Sequence, residues 1–172
     1  MQLTEYLKKK KEEKGMLLMT HLVLGYPSFE VNREVIRQMV ENGVELIEMQ
    51  IPFSEPVADG PMILKANQNS IEAGTKVHDC LDFAAEITAA HPIPFLFMTY
   101  YNILFKYGLE KFFKKAADLN IKGFIVPDLP PEEGEDFLAL ARKYEIAPIM
   151  IYAPTSTEER MRELSDHGDG FI

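Results

Sequence analysis

The chain has 172 residues, of which 47% are hydrophobic and 26% are charged, the balance of an ordinary soluble globular protein. A formal net charge of -9 argues against a surface for nucleic acid or anionic membranes. A single cysteine, Cys80, rules out an internal disulfide framework, so we expect a cytoplasmic protein.

The first half of the chain alternates between apolar runs and amphipathic stretches. The predicted elements are a polar helix over 2–13, a strand over 16–24, a helix over 29–42, a strand over 44–51, a helix from Pro61, a helix over 77–90 and a strand over 94–100. Ser28 is predicted to cap the second helix. The side chains predicted to face inward from that helix are Val31, Val35, Ile36, Met39 and Val40. The polar first helix is neither a signal peptide nor a membrane span.

The second half continues the same alternation. The predicted elements are a helix over 109–119, a strand over 122–127, a helix opened by Pro130-Pro131-Glu132-Glu133, a strand over 147–151, a helix to about Asp166 and the start of a sixth strand over 168–172. The last helix is predicted to open with a capping box, Ser156-x-x-Glu159.

Continuously apolar strands that alternate with helices predict an α/β fold, a parallel sheet covered by helices. No linker divides the chain, so we expect a single domain over 1–172. An open doubly wound sheet and a (β/α)8 barrel both fit this pattern. The sequence contains no G-x-G-x-x-G turn. Six strands are too few to close an eight-stranded barrel, so a lost C-terminal portion is expected.

Candidate catalytic carboxylates lie on the second strand and the loop after it. The strand places Val44, Leu46, Glu48 and Gln50 on one face. Burial of an unpaired carboxylate is costly, and it raises the pKa of the group toward the range useful for proton transfer. Asp59 follows on the loop, where α/β folds place their chemistry. The pattern alone is also consistent with a surface strand end followed by a polar loop.

Four motifs together resemble the tryptophan synthase alpha subunit family. They are IPFSEPVADGP (51–61), MTYYN (98–102), IVPDLPPEE (125–133) and APTST (153–157), and the similarity runs from about Gly15 to Ile172. The resemblance implies a (β/α)8 barrel, here incomplete with about the first five and a half βα units. It implies cleavage of indole-3-glycerol phosphate to indole and glyceraldehyde 3-phosphate, with Glu48 and Asp59 as the catalytic pair. No cofactor is implied in this subunit.

The resemblance also implies a partner and further site residues. The partner is a beta subunit that uses pyridoxal phosphate, in an alpha2beta2 assembly. The positions that match the indole pocket are His21, Met98, Tyr100 and Ile151. The positions that match loops facing the beta subunit are Ser54, Pro56, Asp128 and Pro130. Core packing remains an alternative role for the pocket residues, and turn formation for the loop residues.

Three residues depart from the family pattern. His21 stands where an aromatic residue is usual, Gln50 replaces a usual glycine and Glu55 replaces a usual aspartate. The family's glycine-rich phosphate-binding segments would lie beyond Ile172, so we do not expect the 172 residues alone to bind substrate. An inactive fragment that binds the beta subunit, and another phosphate-handling barrel enzyme of the same pathway, are the alternative functions. The four histidines lack metal-ligand spacing, so no metal site is expected.

Overall fold

The computed structural model describes residues 2–172 and is built around one parallel sheet. Its five strands are β1 (Met19–Val23), β2 (Leu46–Gln50), β3 (Phe95–Met98), β4 (Gly123–Ile125) and β5 (Ala147–Ile149). The strands lie side by side in sequence order and every neighbouring pair is parallel. A doubly wound sheet would reverse its strand order part-way across. The observed order is that of consecutive βα units in a (β/α)8 barrel.

Most of the helices cover one side of the sheet, whereas the first helix precedes β1 and lies on the other side. The helices are α1 (Leu3–Lys14), α2 (Phe29–Glu41), α3 (Pro61–Glu72), α4 (Val77–Ala90), α5 (Tyr101–Tyr107), α6 (Leu109–Asp118), α7 (Glu135–Tyr144) and α8 (Glu158–His167), with a short 3-10 helix at Pro131–Glu133. Ser28 caps α2 as predicted, because its side chain accepts the N–H of Val31 at 3.3 Å. None of these helices within residues 2–172 is long and apolar enough to cross a membrane.

The two sides of the sheet carry separate apolar clusters. On the helix-covered side, Ile47 and Met49 of β2 pack with side chains from α2 and α4 to α8. On the opposite side, which we call the α1 side, Leu46 packs with Leu3 and Leu7 of α1. The alternation along β2 therefore directs Glu48 and Gln50 to the α1 side, as predicted. Val44 departs from the prediction, since it precedes the strand and joins the helix-covered cluster.

Two predictions about the first third of the chain are wrong in detail. The first strand begins at Met19 rather than at residue 16, and Met16 is 83% exposed. Val31 and Val35 of α2 are exposed rather than inward. Buried Asn32 lies between them and accepts the N–H of Gly25 at 2.7 Å while donating to the carbonyl of Tyr26 at 2.8 Å. The helix therefore turns this amide toward the β1 turn, which directs the two valines outward.

Three predictions about the later elements also need correction. The strand predicted over 94–100 ends at Met98, and the helix α5, which was not predicted, begins at Tyr101. The cap of α8 is Thr157, whose hydroxyl accepts the N–H of Arg160 at 3.2 Å, and not Ser156. Residues 168–172 form no strand, although the N–H of Asp169 donates to the carbonyl of Pro148 beside β5 at 3.0 Å.

Candidate active site

Glu48 lies in the middle of β2, on the α1 side of the sheet, directly opposite His21 of β1. Its side chain is 13% exposed. Burial raises the pKa of the Glu48 carboxyl; the His21 ring lowers it and the charge of Asp59 raises it further. Glu48 is therefore a carboxyl group that holds a proton more readily than an exposed glutamate does.

Asp59 lies on the loop between β2 and α3, and polar hydrogens converge on one of its oxygens. The Oδ2 atom accepts hydrogen bonds from Gln50 Nε2 at 2.6 Å, from the Tyr100 hydroxyl at 3.2 Å and from Asn67 Nδ2 at 3.4 Å. An ionised carboxylate is an acceptor only, so this environment of donors suits it.

A chain of polar contacts, one of them longer than a hydrogen bond, joins the two carboxyl groups. The ring atom His21 Nε2 lies 3.8 Å from Glu48 Oε1 and 2.9 Å from Gln50 Oε1. The other end of the same Gln50 amide donates to Asp59. Gln50 is fully buried, so water does not replace these partners. The connection runs from the centre of β2 to the loop that follows it.

Tyr100 supports the Asp59 loop from the end of β3. Its ring is fully buried and stacks on Phe53, with ring centroids 4.9 Å apart. The hydroxyl accepts the N–H of Ala58 at 3.1 Å and donates to Asp59. Burial raises the pKa of Tyr100 to about 12, so the hydroxyl keeps its proton and remains a donor at neutral pH.

Asn67 of α3 was not identified from the sequence. It is fully buried, its Oδ1 accepts the N–H of Phe53 at 2.9 Å, and its Nδ2 donates to the carbonyl of Ile63 at 2.9 Å and weakly to Asp59. The sequence does contain a pattern from which Asn67 could have been identified, because helical spacing places it on one face of α3 with Ile63 and Ala66. An amide on an inward face needs polar partners, and here the loop between β2 and α3 supplies two of them, the N–H of Phe53 and the carboxylate of Asp59.

The remaining predicted pocket residues lie at two places. Met98 is buried on β3, opposite Gln50 in the strand register and in the same cluster as Tyr100. Ile151 lies beyond the end of β5 and is 50% exposed. It lines a separate cavity with Asp128 and Met150 at the ends of β4 and β5. Met98 thus lies beside the polar chain, whereas Ile151 lies at the rim of the sheet.

The predicted partner-facing residues lie on the loops after β2 and β4. Ser54 and Asp128 are exposed, and Pro130 is half-buried. Asp128 accepts the N–H of Tyr101 at 2.9 Å and so joins the loops after β3 and β4. Pro56 is buried within the same loop as Ser54. Within residues 2–172 no group of three or more His, Cys, Asp or Glu side chains is arranged to hold a metal ion.

Comparison with known proteins identifies the family. The family described as "Tryptophan synthase alpha chain" matches residues 7–172. A tryptophan synthase alpha chain from Desulfotalea psychrophila is 66% identical over all 172 residues, which cover 68% of that protein. The chain belongs to the tryptophan synthase alpha chain family. A second alpha chain, from Syntrophotalea carbinolica, is 57% identical over 96% of this chain and 66% of its own length.

Solved structures agree with this assignment. A structure from Aquifex aeolicus superposes with a TM-score of 0.92 at 38% identity, covering 98% of this chain and 68% of that one. Tryptophan synthase from M. tuberculosis superposes with a TM-score of 0.93 at 29% identity, covering 99% and 68%. The chain therefore spans about two thirds of the length of these relatives and forms an incomplete (β/α)8 barrel. The alpha reaction of the family is carbon–carbon lyase chemistry in tryptophan biosynthesis.

Proposed function

We propose that Glu48 and Asp59 are the two proton-transfer groups of the alpha reaction, which cleaves indole-3-glycerol phosphate to indole and glyceraldehyde 3-phosphate. The observation that carries the proposal is the buried Glu48 carboxyl, connected to Asp59 by the contacts of His21 and Gln50. Family membership supplies the reaction. The geometry supplies two carboxyl groups in unlike surroundings, which is the usual sign of separate acid and base roles.

The first step moves two protons on the indole ring. Protonated Glu48 gives its proton to C3 of the ring, and the Asp59 carboxylate takes the proton from the ring N–H. The ring becomes an indolenine, with a double bond between C2 and the nitrogen. The raised pKa of Glu48 favours its acid form before this step, and the donors around Asp59 suit a carboxylate that awaits a proton.

The second step breaks the carbon–carbon bond. The Glu48 carboxylate removes the proton from the hydroxyl on the glycerol carbon attached to C3, and that carbon becomes the aldehyde. The electron pair of the broken bond forms the C2–C3 double bond, while the former C2–N pair moves to the nitrogen. Asp59 returns its proton to the nitrogen. Both carboxyl groups finish in their starting forms, and no cofactor is consumed.

The pocket and the partner follow from the same proposal. His21, Met98 and Tyr100 would contact the indole ring, and Ile151 would lie at the mouth of the pocket. The exposed residues Ser54 and Asp128, with Pro130, would face a beta subunit that holds pyridoxal phosphate. An alpha2beta2 assembly in the cytoplasm is the arrangement we propose. Because the chain spans about two thirds of its relatives, we assign the complete reaction to the full-length protein.

The test compares three matched amide substitutions in the full-length protein. Glu48→Gln and Asp59→Asn keep size and polarity but cannot exchange a proton, so indole release should fall by about 10²–10⁴-fold in each. Glu55→Gln is the control, because Glu55 is exposed on the same loop. Steady-state indole release by Glu48→Gln or Asp59→Asn close to the wild-type rate would remove that residue from the mechanism.

A further inference from the structure

The orientation of the Gln50 amide is fixed by its two neighbours. The amide lies between Asp59 Oδ2 at 2.6 Å and His21 Nε2 at 2.9 Å. A carboxylate oxygen can only accept, so the amide NH₂ must face Asp59. The amide oxygen then faces His21, and Nε2 of the ring must carry the hydrogen that it donates. The carboxylate thus determines which ring nitrogen of His21 is protonated.

This tautomer decides what His21 can do beside Glu48. The Nε2 atom lies 3.8 Å from Glu48 Oε1 and carries a hydrogen in both the neutral and the protonated ring. The nitrogen near Glu48 is therefore a donor and never a base. His21 therefore cannot take the proton of Glu48 through this atom.

The two family departures on these strands are linked by the same geometry. Gln50 is fully buried, and its carbonyl oxygen needs a donor. The ring of His21 supplies that donor from the facing strand. An apolar ring at position 21 would leave the carbonyl without its partner, and a glycine at position 50 would leave Asp59 without its shortest hydrogen bond.

We propose that Gln50 is a positioning residue for the alpha reaction, which holds the Asp59 carboxylate in place and, through its carbonyl, fixes the His21 ring beside Glu48. This inference rests on the proposed role of Asp59. Gln50 itself exchanges no proton and breaks no bond. Its contribution is to hold two groups that contact the substrate, so it acts on the geometry of the transition state.

The test is a double-mutant cycle between Gln50 and Asp59 in the full-length protein. Gln50→Met keeps the length of the side chain and removes both hydrogen bonds. We expect kcat to fall roughly 10-fold to 10²-fold with little change in KM, because the lost interaction positions the reacting group. The combination Gln50→Met with Asp59→Asn should lose less than the product of the two single losses, because Gln50 acts in part through Asp59.

Control variants separate positioning from general damage. Gln68→Met makes the same change at an exposed position of α3 and should leave kcat unchanged. If Gln50→Met fails to fold, Gln50→Gly takes its place in the test, since the family usually has glycine at this position. This variant should show the same loss of kcat. A side-chain amide NMR signal of Gln50 that shifts in Asp59→Asn would report the contact without any turnover.

The outcomes distinguish the two proposals. A wild-type kcat in Gln50→Met, while Asp59→Asn stays slow, would overturn the positioning role and leave the role of Asp59 intact. Losses that multiply in the double variant would also overturn it, since Gln50 would then act independently of Asp59. A wild-type kcat in Asp59→Asn would overturn both proposals, and the proposed function would be the one at fault.

Discussion

The side chains of His21 and Gln50 depend on each other at the residue scale. Each satisfies a polar atom of the other on the α1 side of the sheet, where Gln50 is fully buried. A buried polar atom that is left without a hydrogen-bond partner lowers the free energy of unfolding by about 1–3 kcal/mol. The effect of a substitution at either position should therefore depend on which residue occupies the other.

A stability cycle on these two residues follows. We expect His21→Phe to lower the free energy of unfolding by about 1–3 kcal/mol, because the Gln50 carbonyl loses its donor. In a protein that already carries Gln50→Met, the same His21→Phe change should cost much less, because no carbonyl remains to satisfy. Urea unfolding of the wild type, both single variants and the double variant measures this. Equal costs of His21→Phe in the two backgrounds would contradict the dependence.

The residues of the candidate site differ in how far they could be predicted from the sequence. The side of the sheet on which Glu48 lies could be predicted, because side chains alternate along a strand and Glu48 shares its face with Leu46. Asp59 could be placed on the loop after that strand, but its partners could not. Tyr100 follows Asp59 by 41 residues and Asn67 follows it by 8, and the packing of β3 and α3 brings all three together. Such contacts depend on side-chain direction, which composition and periodicity do not specify.

At the scale of elements, α1 is attached to the sheet by a buried acid. The carboxylate of Glu45, just before β2, accepts the N–H of Leu18 at 2.8 Å and a short hydrogen bond from Lys14 at the end of α1. Its carbonyl accepts the hydroxyl of Tyr6 at 3.0 Å. The Lys14 ammonium and then the Leu18 N–H hold the pKa of Glu45 below its ordinary value. One acid thus connects α1, the chain leading to β1 and the chain leading to β2.

This attachment should be sensitive to pH. A lowered pKa means that Glu45 contributes stability above the ordinary glutamate range near pH 4.5, and that the contribution is lost as the pH falls through the lowered value. We expect Glu45→Gln to cost about 1–2 kcal/mol at neutral pH, with Lys14 half exposed and its charge partly screened. The cost should shrink in acid. Unfolding curves at pH 7 and pH 3 measure it.

The matched control for that prediction is Glu12→Gln, on an exposed part of α1. It should change the free energy of unfolding by less than about 0.5 kcal/mol at both pH values. A Glu45→Gln cost that stays the same at pH 7 and pH 3 would show that the charge of Glu45 contributes nothing to the attachment.

Element types could largely be predicted from periodicity, but their ends could not. Helix α4 (Val77–Ala90) has the predicted bounds, whereas the first strand is shorter than its apolar run. An apolar run shows what can be buried, and the pairing of β1 with β2 decides which part of it becomes strand. Helix α5 was not predicted, because it is only seven residues long and is separated from the end of β3 by two residues.

At the scale of the whole molecule, the loops after β2 and β4 share one end of the sheet. Parallel strands direct all the loops that follow them to their carboxyl ends, where Asp59 also lies. Asp128 joins the loops after β3 and β4 through the N–H of Tyr101. A partner bound to these loops could therefore influence the Asp59 loop through Tyr101, Tyr100 and the hydrogen bond of Tyr100 to Asp59.

Addition of the beta subunit to the full-length protein tests this proposal. Coupling energies of about 1–3 kcal/mol correspond to a roughly 5–150-fold rise in the rate of indole release. Asp128→Ala should reduce that rise, because the loop loses its contact with Tyr101, while Asp128→Asn keeps an acceptor and should retain most of it. Asp118→Ala, at the exposed end of α6, is the control. Equal activation of Asp128→Ala and wild type would place the beta subunit elsewhere.

The sequential order of the strands has a consequence for how the protein is made. Each new strand pairs with the one synthesised just before it, so the sheet can grow from its first strand as the chain leaves the ribosome. Every residue of the polar chain from His21 to Tyr100 belongs to the first three βα units. The hydrogen-bond partners of the two carboxyl groups are therefore all synthesised before β4 and β5, whose apolar side chains then pack around Tyr100.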